Sequence, residues 1–277
     1  MWKKKFNVLF LVVATMLIMS NFIVGCSSSS SSGNNSGSDA LSEKIKTLRV
    51  VVEHSTDDAL ENYDSIKFGS YAQEDNKGEI SEPIEWVVLE KDEVNGKVLL
   101  MSKYILDCKC YNEEDGEITW ENCTLRKWLN NDFYNKAFND KEKKKIIENA
   151  NINGNNIKHG TDAGNNTNDK VFCLSVSEGR HYFGQGESEN DNPTVYRRWF
   201  ASKGTNYARN VDNLGDKLST SGHKEKYYYG YSEFWLRGPG DRKQDACYVL
   251  EDGLINENGG WAGEKRRGVR PAIWVKY

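Results

Sequence analysis

The N-terminal segment decides how much of this chain is left to form a globular domain. Lysines at positions 3–5 precede an apolar stretch over residues 6–25, which ends in small residues before Cys26. This order of a basic start, an apolar run and small residues is typical of a secretory signal peptide. We therefore expect residues 1–25 to be removed and to take no part in the fold.

The residues before Cys26 resemble the lipobox of bacterial lipoproteins. That resemblance implies cleavage before Cys26 and attachment of a diacylglyceryl group to its thiol, and two acyl chains anchor a protein stably. The expected location is the extracytoplasmic face of the bacterial cell membrane. An uncleaved transmembrane helix is the alternative, because residues 6–25 are nearly long enough to span a bilayer, although Ser20 and Asn21 interrupt the stretch.

The remaining chain divides into a polar tether and one domain. Residues 26–60 begin with a Ser/Gly/Asn tract that is too polar to bury, so they are interpreted as the lipidated cysteine and a flexible tether or stalk. Residues 61–277 have a suitable length for a single globular domain. Without the three N-terminal lysines, 34 basic side chains face 41 acidic ones, a net charge of −7. This charge argues against nucleic acid as a partner.

The cysteines do not indicate a disulfide scaffold. Besides Cys26 the chain has five, an odd number for an exported protein. Cys108, Cys110 and Cys123 lie close in sequence, but no histidine lies among them and the spacing does not suit structural zinc. One disulfide, such as Cys108 to Cys123, and buried free thiols both remain open.

Periodicity predicts an α+β fold with short antiparallel strands, a few helices and much loop. Asn95-Gly96 and Asp252-Gly253 are each flanked by apolar runs, which is the pattern of a β-hairpin. Asn139 and Glu142 resemble a capping box. A stripe at helical spacing predicts a preceding helix: Leu125, Trp128, Leu129 and Phe133. Later strands are predicted in four segments: "KVFCLSV", "SEFWLRG", "ACYVLEDGLIN" and "VRPAIWVKY".

Several of these segments together resemble the bacterial family called domain of unknown function 6273. The resemblance runs from about Ser65 to Tyr277, in the order "KFGSYAQ", "PIEWVVLE", "LLMSKYILDCKCYN", "TWENCTLRKWLNNDFYNKAF", "GTDAGNNTNDKVFCLS", "FWLRGPG" and "GVRPAIWV". It implies an exported bacterial domain with no assigned activity. The ending "GVRPA" is also distantly similar to formylglycine-generating enzymes and other C-type-lectin-like domains. That likeness implies a C-type-lectin-like fold with the final strand beside the first.

The segment "FWLRGPG" is interpreted as scaffold, with a functional site as the alternative. In a strand, Trp235 and Arg237 face one side and their neighbours the other, so at least one bulky pair must be buried. A buried arginine fork that holds a carboxylate or loop carbonyls is a structural clamp. Arg270, before Pro271, and Trp128, on the helical stripe, are assigned to the scaffold as well.

The sequence offers no catalytic set and only weak binding candidates. The four histidines have no adjacent nucleophile motif, and Cys247 has no cysteine after it, unlike the cysteine pair of formylglycine-generating enzymes. No cofactor is expected, although one Asn/Asp loop carries oxygen ligands that calcium prefers: Asp162, Asn165, Asn166, Asn168 and Asp169. Such a loop is also typical of self-bonded turns.

The expected function is therefore a lipid-anchored surface module that binds an extracellular glycan or protein. Trp261 lies in a Gly-rich segment taken as a loop. Two interpretations of it are open: a loop tryptophan that folds back onto the core, and a displayed indole that forms a candidate aromatic platform with Tyr227, Tyr228 and Tyr229. A surface enzyme related to the formylglycine-generating group and a structural envelope lipoprotein are the alternatives.

Overall fold

The computed structural model describes residues 65–75, 77–183, 200–210 and 231–277, together with Lys44. The chain divides into two compact units, Met1–Ser36 and Gly37–Tyr277, and every described residue belongs to the second. The expected signal peptide, Cys26, the Ser-rich tract and Tyr227 to Tyr229 lie outside the described residues. Among the described residues, no helix has the length and apolar character needed to cross a bilayer.

The described residues are organised around short β-strands. In chain order the strands are β1 (Ser65–Tyr71), β2 (Glu82–Asp92), β3 (Lys97–Ser102), β4 (Asp107–Cys108), β5 (Ile146–Ile147), β6 (Asn149–Asn151), β7 (Thr167–Asp169), β8 (Phe234–Pro239), β9 (Asp245–Val249), β10 (Ile255–Trp261), β11 (Gly268–Val269) and β12 (Ala272–Lys276). The helices are α1 (Thr124–Trp128), α2 (Tyr134–Ala137), α3 (Asp140–Lys143), α4 (Val176–Phe183) and α5 (Asn206–Asn210), with a π-helical turn at Leu129–Phe133 between α1 and α2.

Two five-stranded sheets supply most of the core. The first has the order β1-β2-β3-β12-β5 and the second the order β10-β9-β8-β11-β4, while β6 and β7 form a separate pair. The pairs are antiparallel except for β8 with β11. Buried side chains from both large sheets belong to one hydrophobic cluster. The α+β class with short, mostly antiparallel strands is therefore confirmed.

Both hairpins and the capping box have the predicted geometry. Gly96, between β2 and β3, has φ +61°, and Gly253, between β9 and β10, has φ +86°, so glycine relieves the strain of both turns. Asn139 accepts from the backbone of Glu142, whose carboxylate accepts from the Asn139 N–H. Local sequence chemistry was sufficient for these three features, because each is satisfied within a few residues.

The predicted single helix after Cys123 contains a π-helical turn. Leu125, Leu129 and Phe133 of the predicted stripe are buried, and Trp128 is half-buried. The side-chain amide of Asn130 donates to the carbonyl oxygen of Arg126 at 3.1 Å, and that of Asn131 to Lys127 at 2.9 Å. These side-chain amides compete with the backbone N–H groups for carbonyl acceptors at the π-helical turn.

The prediction of a strand at "KVFCLSV" is wrong. Apart from a single bridge between Phe172 and Ala272, this segment is not a strand. Its backbone is satisfied by other partners, since the Asn130 side chain accepts from Val171 and Arg237 donates to the carbonyls of Cys173 and Leu174. The apolar run is buried as predicted, but against a side-chain scaffold.

Candidate functional cleft

Strand β8 is buried on both faces, and its C-terminal end lies at a cavity. Phe234, Trp235 and Leu236 are each at most 1 % exposed, and Arg237 is 3 % exposed. The strand lies between β9 and β11 in the second sheet. Its last residues, Gly238 and Pro239, reach the wall of a cavity of about 350 Å³.

Arg237 connects β8 to the start of helix α4. Two of its N–H groups contact the carboxylate of Glu178, one of them at 2.8 Å. The others donate to the Cys173 carbonyl at 2.8 Å, to Asn153 Oδ1 at 3.2 Å and to the Ile152 carbonyl at 3.5 Å. A guanidinium has five N–H donors, so every donor of Arg237 has a partner within the protein.

Glu178 is itself fixed by a capping box at the start of α4. Its carboxylate accepts from the backbone N–H of Ser175 at 2.7 Å, while Ser175 Oγ accepts from the Glu178 N–H at 3.1 Å. The reciprocal bonds hold the first turn of the helix against Arg237. The ion pair therefore shapes the cavity wall and leaves no guanidinium donor for a ligand.

The cavity lies between three segments of the second unit. The loop of residues 152–157 after β6 forms one wall, the start of α4 a second, and the end of β8 a third, with Cys247 of β9 and Glu257 of β10 completing the lining. Its volume is at the lower end of the ~300–1,000 Å³ range of small-molecule sites. We call this cavity the cleft.

Asn156 holds the cleft loop onto the strands. Its side-chain amide donates to the carbonyl oxygens of Pro239 and Glu257, both at 2.8 Å. Its Oδ1 accepts from the backbone N–H groups of Lys158 and His159, both at 3.0 Å. Because Asn156 is 7 % exposed, these bonds are shielded from water and fix the loop.

The mouth of the cleft is apolar. Ile152 is 75 % exposed and Ile157 is 71 % exposed, and both line the cavity. The other large hydrophobic side chains that are exposed among the described residues are Ile80, Val94 and Trp261. Two exposed isoleucines at one cavity are unusual on a surface where such residues are otherwise scattered.

The Cys247 thiol and the Glu257 carboxylate of the cleft both have partners within the protein. Burial raises the pKa of the Cys247 thiol to about 12, and the thiol donates to the Pro239 carbonyl at 3.1 Å. A thiol that stays protonated is a poor nucleophile. Glu257 pairs with Arg180, and no histidine lines the cleft in the part of the chain that the structure describes.

A family model for a domain of unknown function, DUF6273, matches residues 95–277. The chain belongs to the DUF6273 family. Every residue that lines the cleft lies within the matched range. Searches of curated proteins and of solved structures find no match to the chain.

Within the DUF6273 domain, three of the four arginine and tryptophan positions assigned to the scaffold are buried: Trp235, Arg237 and Arg270. Trp235 is fully buried, and its indole N–H donates to the Lys109 carbonyl at 2.8 Å. Arg270 donates to the carbonyls of Ser102 and Phe200, both at 2.9 Å. Arg237 lines the cleft as well, so a scaffold residue here also shapes a cavity.

Trp128 packs at the edge of the core. Its ring lies 5.5 Å from the Phe133 ring, and the Lys109 ammonium lies 4.7 Å from its centre. Half-burial of this kind leaves one face of the indole for the lysine.

The secondary structure at Trp261 differs from the prediction. The segment that was expected to be a loop is strand β10, which Trp261 ends opposite Asp245. The glycines of "NENGGW" obscured the strand, because glycine is uncommon inside strands. They are needed here because the backbone of β10 passes close to Gly240: a Cβ on Gly259 would lie 2.7 Å from the Gly240 Cα. The indole remains 50 % exposed, and its N–H donates to Asp115 at 3.2 Å.

The candidate calcium ligands are engaged with protein donors. Buried Asp169 accepts from Trp120, Asn151 and Thr167 through Oδ2 and from Arg126 through Oδ1. Asn166 accepts from the Asn153 backbone, Asp162 from that of Gly164, and Asn165 donates to Glu121. Asn168 supplies its carbonyl to Arg126. Across the described ranges, no group of three or more His, Cys, Asp or Glu side chains is arranged to hold a metal ion.

The five cysteines of the DUF6273 domain are free thiols. The disulfide between Cys108 and Cys123, left open by the sequence, is not formed. Cys108 donates to the Lys265 carbonyl at 3.0 Å and Cys123 to the Trp120 carbonyl at 3.3 Å. Each of these two thiols thus has its own backbone partner.

Sequence reasoning missed the cleft loop, residues 152–157, although a signal was present. The run "NINGNNI" places two isoleucines in an Asn-rich segment that has neither helical nor strand periodicity. Large aliphatic residues in such a segment indicate a loop that contacts something apolar. What the sequence did not provide was the partner wall, since Glu178, Arg237 and Glu257 are distant along the chain.

Proposed function

We propose that this protein is a lipid-anchored surface module that binds an extracellular ligand in the cleft. The observation that carries the proposal is the cavity of about 350 Å³ with exposed Ile152 and Ile157 at its mouth. A concave site with an apolar rim and fixed polar walls is the usual form of a binding site. The anchor is the lipidated Cys26, on the extracytoplasmic face of the bacterial membrane.

Binding is preferred to an enzyme of the formylglycine-generating group for a chemical reason. That chemistry depends on a pair of nearby late cysteines, and Cys247 is the last cysteine of the chain. Its raised pKa further disfavours a reactive thiolate. A purely structural envelope role does not account for an open cavity with an apolar mouth.

A C-type-lectin-like architecture is part of the proposal. In its support, the last strand, β12, returns to the first sheet and lies between β3 and β5. The arrangement departs from the expected one in one respect, because β12 pairs with β3 and β5 instead of β1. The likeness therefore concerns the curled antiparallel sheets more than the exact strand order.

Trp261 supports a second binding surface. Its indole is half-exposed and sits beside the acidic loop of residues 113–115. A flat aromatic face next to hydrogen-bonding carboxylates suits the ring of a neutral sugar. Calcium and other cofactors are not needed for either surface.

The binding proposal is tested with the full chain in detergent on glycan and peptide arrays. Gly154 lines the cleft, and a Cβ there would meet no atom within 4 Å, so Gly154→Trp can fill the cavity without a clash at the backbone. We expect this variant to lose the ligand that the wild-type protein retains. Val94→Trp, at a hairpin residue that is 95 % exposed, is the matched control. Equal binding by all three proteins would contradict the cleft as the site.

The anchor is tested separately. Cys26→Ser should abolish incorporation of labelled palmitate in a bacterial host and leave the precursor uncleaved. Equal incorporation by the variant would contradict lipidation at Cys26.

A further inference from the structure

We infer that the cleft receives an aliphatic side chain of an uncharged polypeptide segment, together with its adjoining peptide group. This inference rests on the proposed binding function and names the chemical class of the ligand. Two observations support it: the isoleucines at the mouth of the cleft are exposed, and the charged groups of the cleft are already paired within the protein.

The mouth of the cleft offers apolar surface to a ligand. Ile152 and Ile157 leave about three quarters of their surfaces exposed, at 75 % and 71 %. Val176 and Pro239 continue the apolar lining inward. An aliphatic side chain that enters between the isoleucines removes apolar surface of both partners from water, which is the main source of binding free energy in such a contact.

The charged side chains of the cleft are neutralised in ion pairs. Glu178 is paired with Arg237, and Glu257 with Arg180. All five donors of Arg237 are engaged within the protein. Among the described residues that line the cleft, a phosphate, sulfate or carboxylate group would therefore find no unpaired cation, and a cationic group would have to compete with two arginines. The cleft suits a neutral ligand.

The described lining of the cleft has no aromatic wall. Among the described residues, the lining of the cleft contains no Trp, Tyr or Phe. A sugar ring packs its C–H face against a flat aromatic side chain, whereas an aliphatic side chain packs equally well against isoleucine and proline. The lining therefore favours a polypeptide over a glycan at this site.

Two polar groups at the cleft can bind a peptide group. Asn155 accepts from the Ala163 N–H through Oδ1, which leaves its side-chain NH₂ as a donor, and the Ser177 hydroxyl makes no hydrogen bond to any described residue. Both side chains are exposed and line the cavity. A donor and a hydroxyl are matched to the carbonyl and N–H of one peptide group.

The test uses the full chain in detergent and an array of N-acetylated, C-amidated nonapeptides. Their flanks are drawn from Gly, Ser, Asn and Thr, and the central residue is Leu, Ile, Ala, Lys or Glu. Chito-oligosaccharides and neutral plant and bacterial glycans are printed on the same array. We expect the Leu and Ile peptides to bind at least about tenfold more tightly than the Ala peptide, and the Lys and Glu peptides to bind least.

The double variant Ile152→Ser with Ile157→Ser should lower the affinity for the Leu peptide at least about tenfold. Because both positions are exposed, its melting temperature should match that of the wild-type protein. Ile80→Ser, at an isoleucine that is 62 % exposed and does not line the cleft, is the matched control and should bind normally.

The outcomes separate this inference from the proposed function. If glycans bind and the double variant weakens them, the cleft is a binding site and the polypeptide inference is wrong. If Leu and Ala peptides bind equally, the inference is also wrong. If neither class binds, or if Gly154→Trp and the double variant bind like the wild-type protein, the proposed cleft function fails with it.

Discussion

Trp235 and Trp261 show how the same side chain serves two different purposes in the second sheet. Both indole N–H groups have an acceptor, the Lys109 carbonyl for Trp235 and the Asp115 carboxylate for Trp261. Trp235 is fully buried, whereas Trp261 is 50 % exposed. The polar end of the ring therefore does not distinguish the two sites.

What distinguishes them is the place of their strands in the sheet. β8 has a neighbour on each side, whereas β10 is the edge strand. The Trp235 ring lies 5.6 Å from the Tyr111 ring, 6.3 Å from the Tyr248 ring and 4.7 Å from the Arg267 guanidinium. A central strand thus surrounds its side chains, and an edge strand can display one.

The largest expected effect is that of Trp235→Ala. Removing a fully buried indole leaves a cavity among Tyr111, Tyr248 and Arg267, and we expect a loss of roughly 3–5 kcal/mol in the free energy of unfolding. Chemical denaturation of the full chain in detergent measures this loss. A change below about 1 kcal/mol would show that the burial of β8 contributes far less than its position indicates.

Arg237→Met should have the next largest effect. It leaves the Glu178 carboxylate and two backbone carbonyls without their donor, and we expect a loss of about 2–3 kcal/mol in the free energy of unfolding. Arg266→Met is the matched control, because Arg266 is exposed and its side chain makes no ion pair with a described residue, so its loss should not shift the melting temperature measurably. Similar melting temperatures for both variants would contradict the clamp.

The cysteines extend the comparison to reactivity. Burial raises the pKa of the Cys123 and Cys247 thiols to about 12, and it also raises the pKa of Cys110, which is only half-buried. A raised pKa lowers the thiolate fraction at any given pH, so access decides the order. At pH 8 iodoacetamide should modify Cys110 first, as peptide mass spectrometry can show. Early modification of Cys247 would indicate that the cleft opens to its floor.

The smallest expected effect on stability is that of Trp261→Ala. We expect the free energy of unfolding to stay within about 0.5 kcal/mol of the wild-type value, because a half-exposed side chain on an edge strand has few contacts to lose. If Trp261 is a platform, binding on the glycan array should fall while the melting curve is unchanged. Unfolding as severe as that of Trp235→Ala would place Trp261 in the scaffold.

The elements that sequence reasoning predicted correctly are those satisfied locally. Asn95-Gly96 and Asp252-Gly253 form their turns because glycine accepts the positive φ that each turn needs. Asn139 and Glu142 close a capping box within one helical turn. In each case the deciding interaction spans only a few residues.

The elements that were predicted wrongly depend on distant partners. The segment 170–176 has a strand-like composition, but the side chains of Asn130 and Arg237 bind backbone groups that a strand would use for pairing. β10 is rich in glycine, but the close approach of Gly240 requires that composition. Propensity is a weak guide where tertiary contacts satisfy the backbone.

By itself, the sequence determined the α+β class, the two hairpins, the capping box and the family, because short-range turn chemistry and ordered motifs carry them. Only the tertiary structure decided that β8 would be central and β10 an edge, and that Asn156, Glu178 and Arg237 would meet around one cavity. Those three residues are separated by 22 and 59 positions in the chain, as their numbers show. Hydrogen bonds between such distant residues depend on how the sheets and the loop pack, which no local pattern encodes.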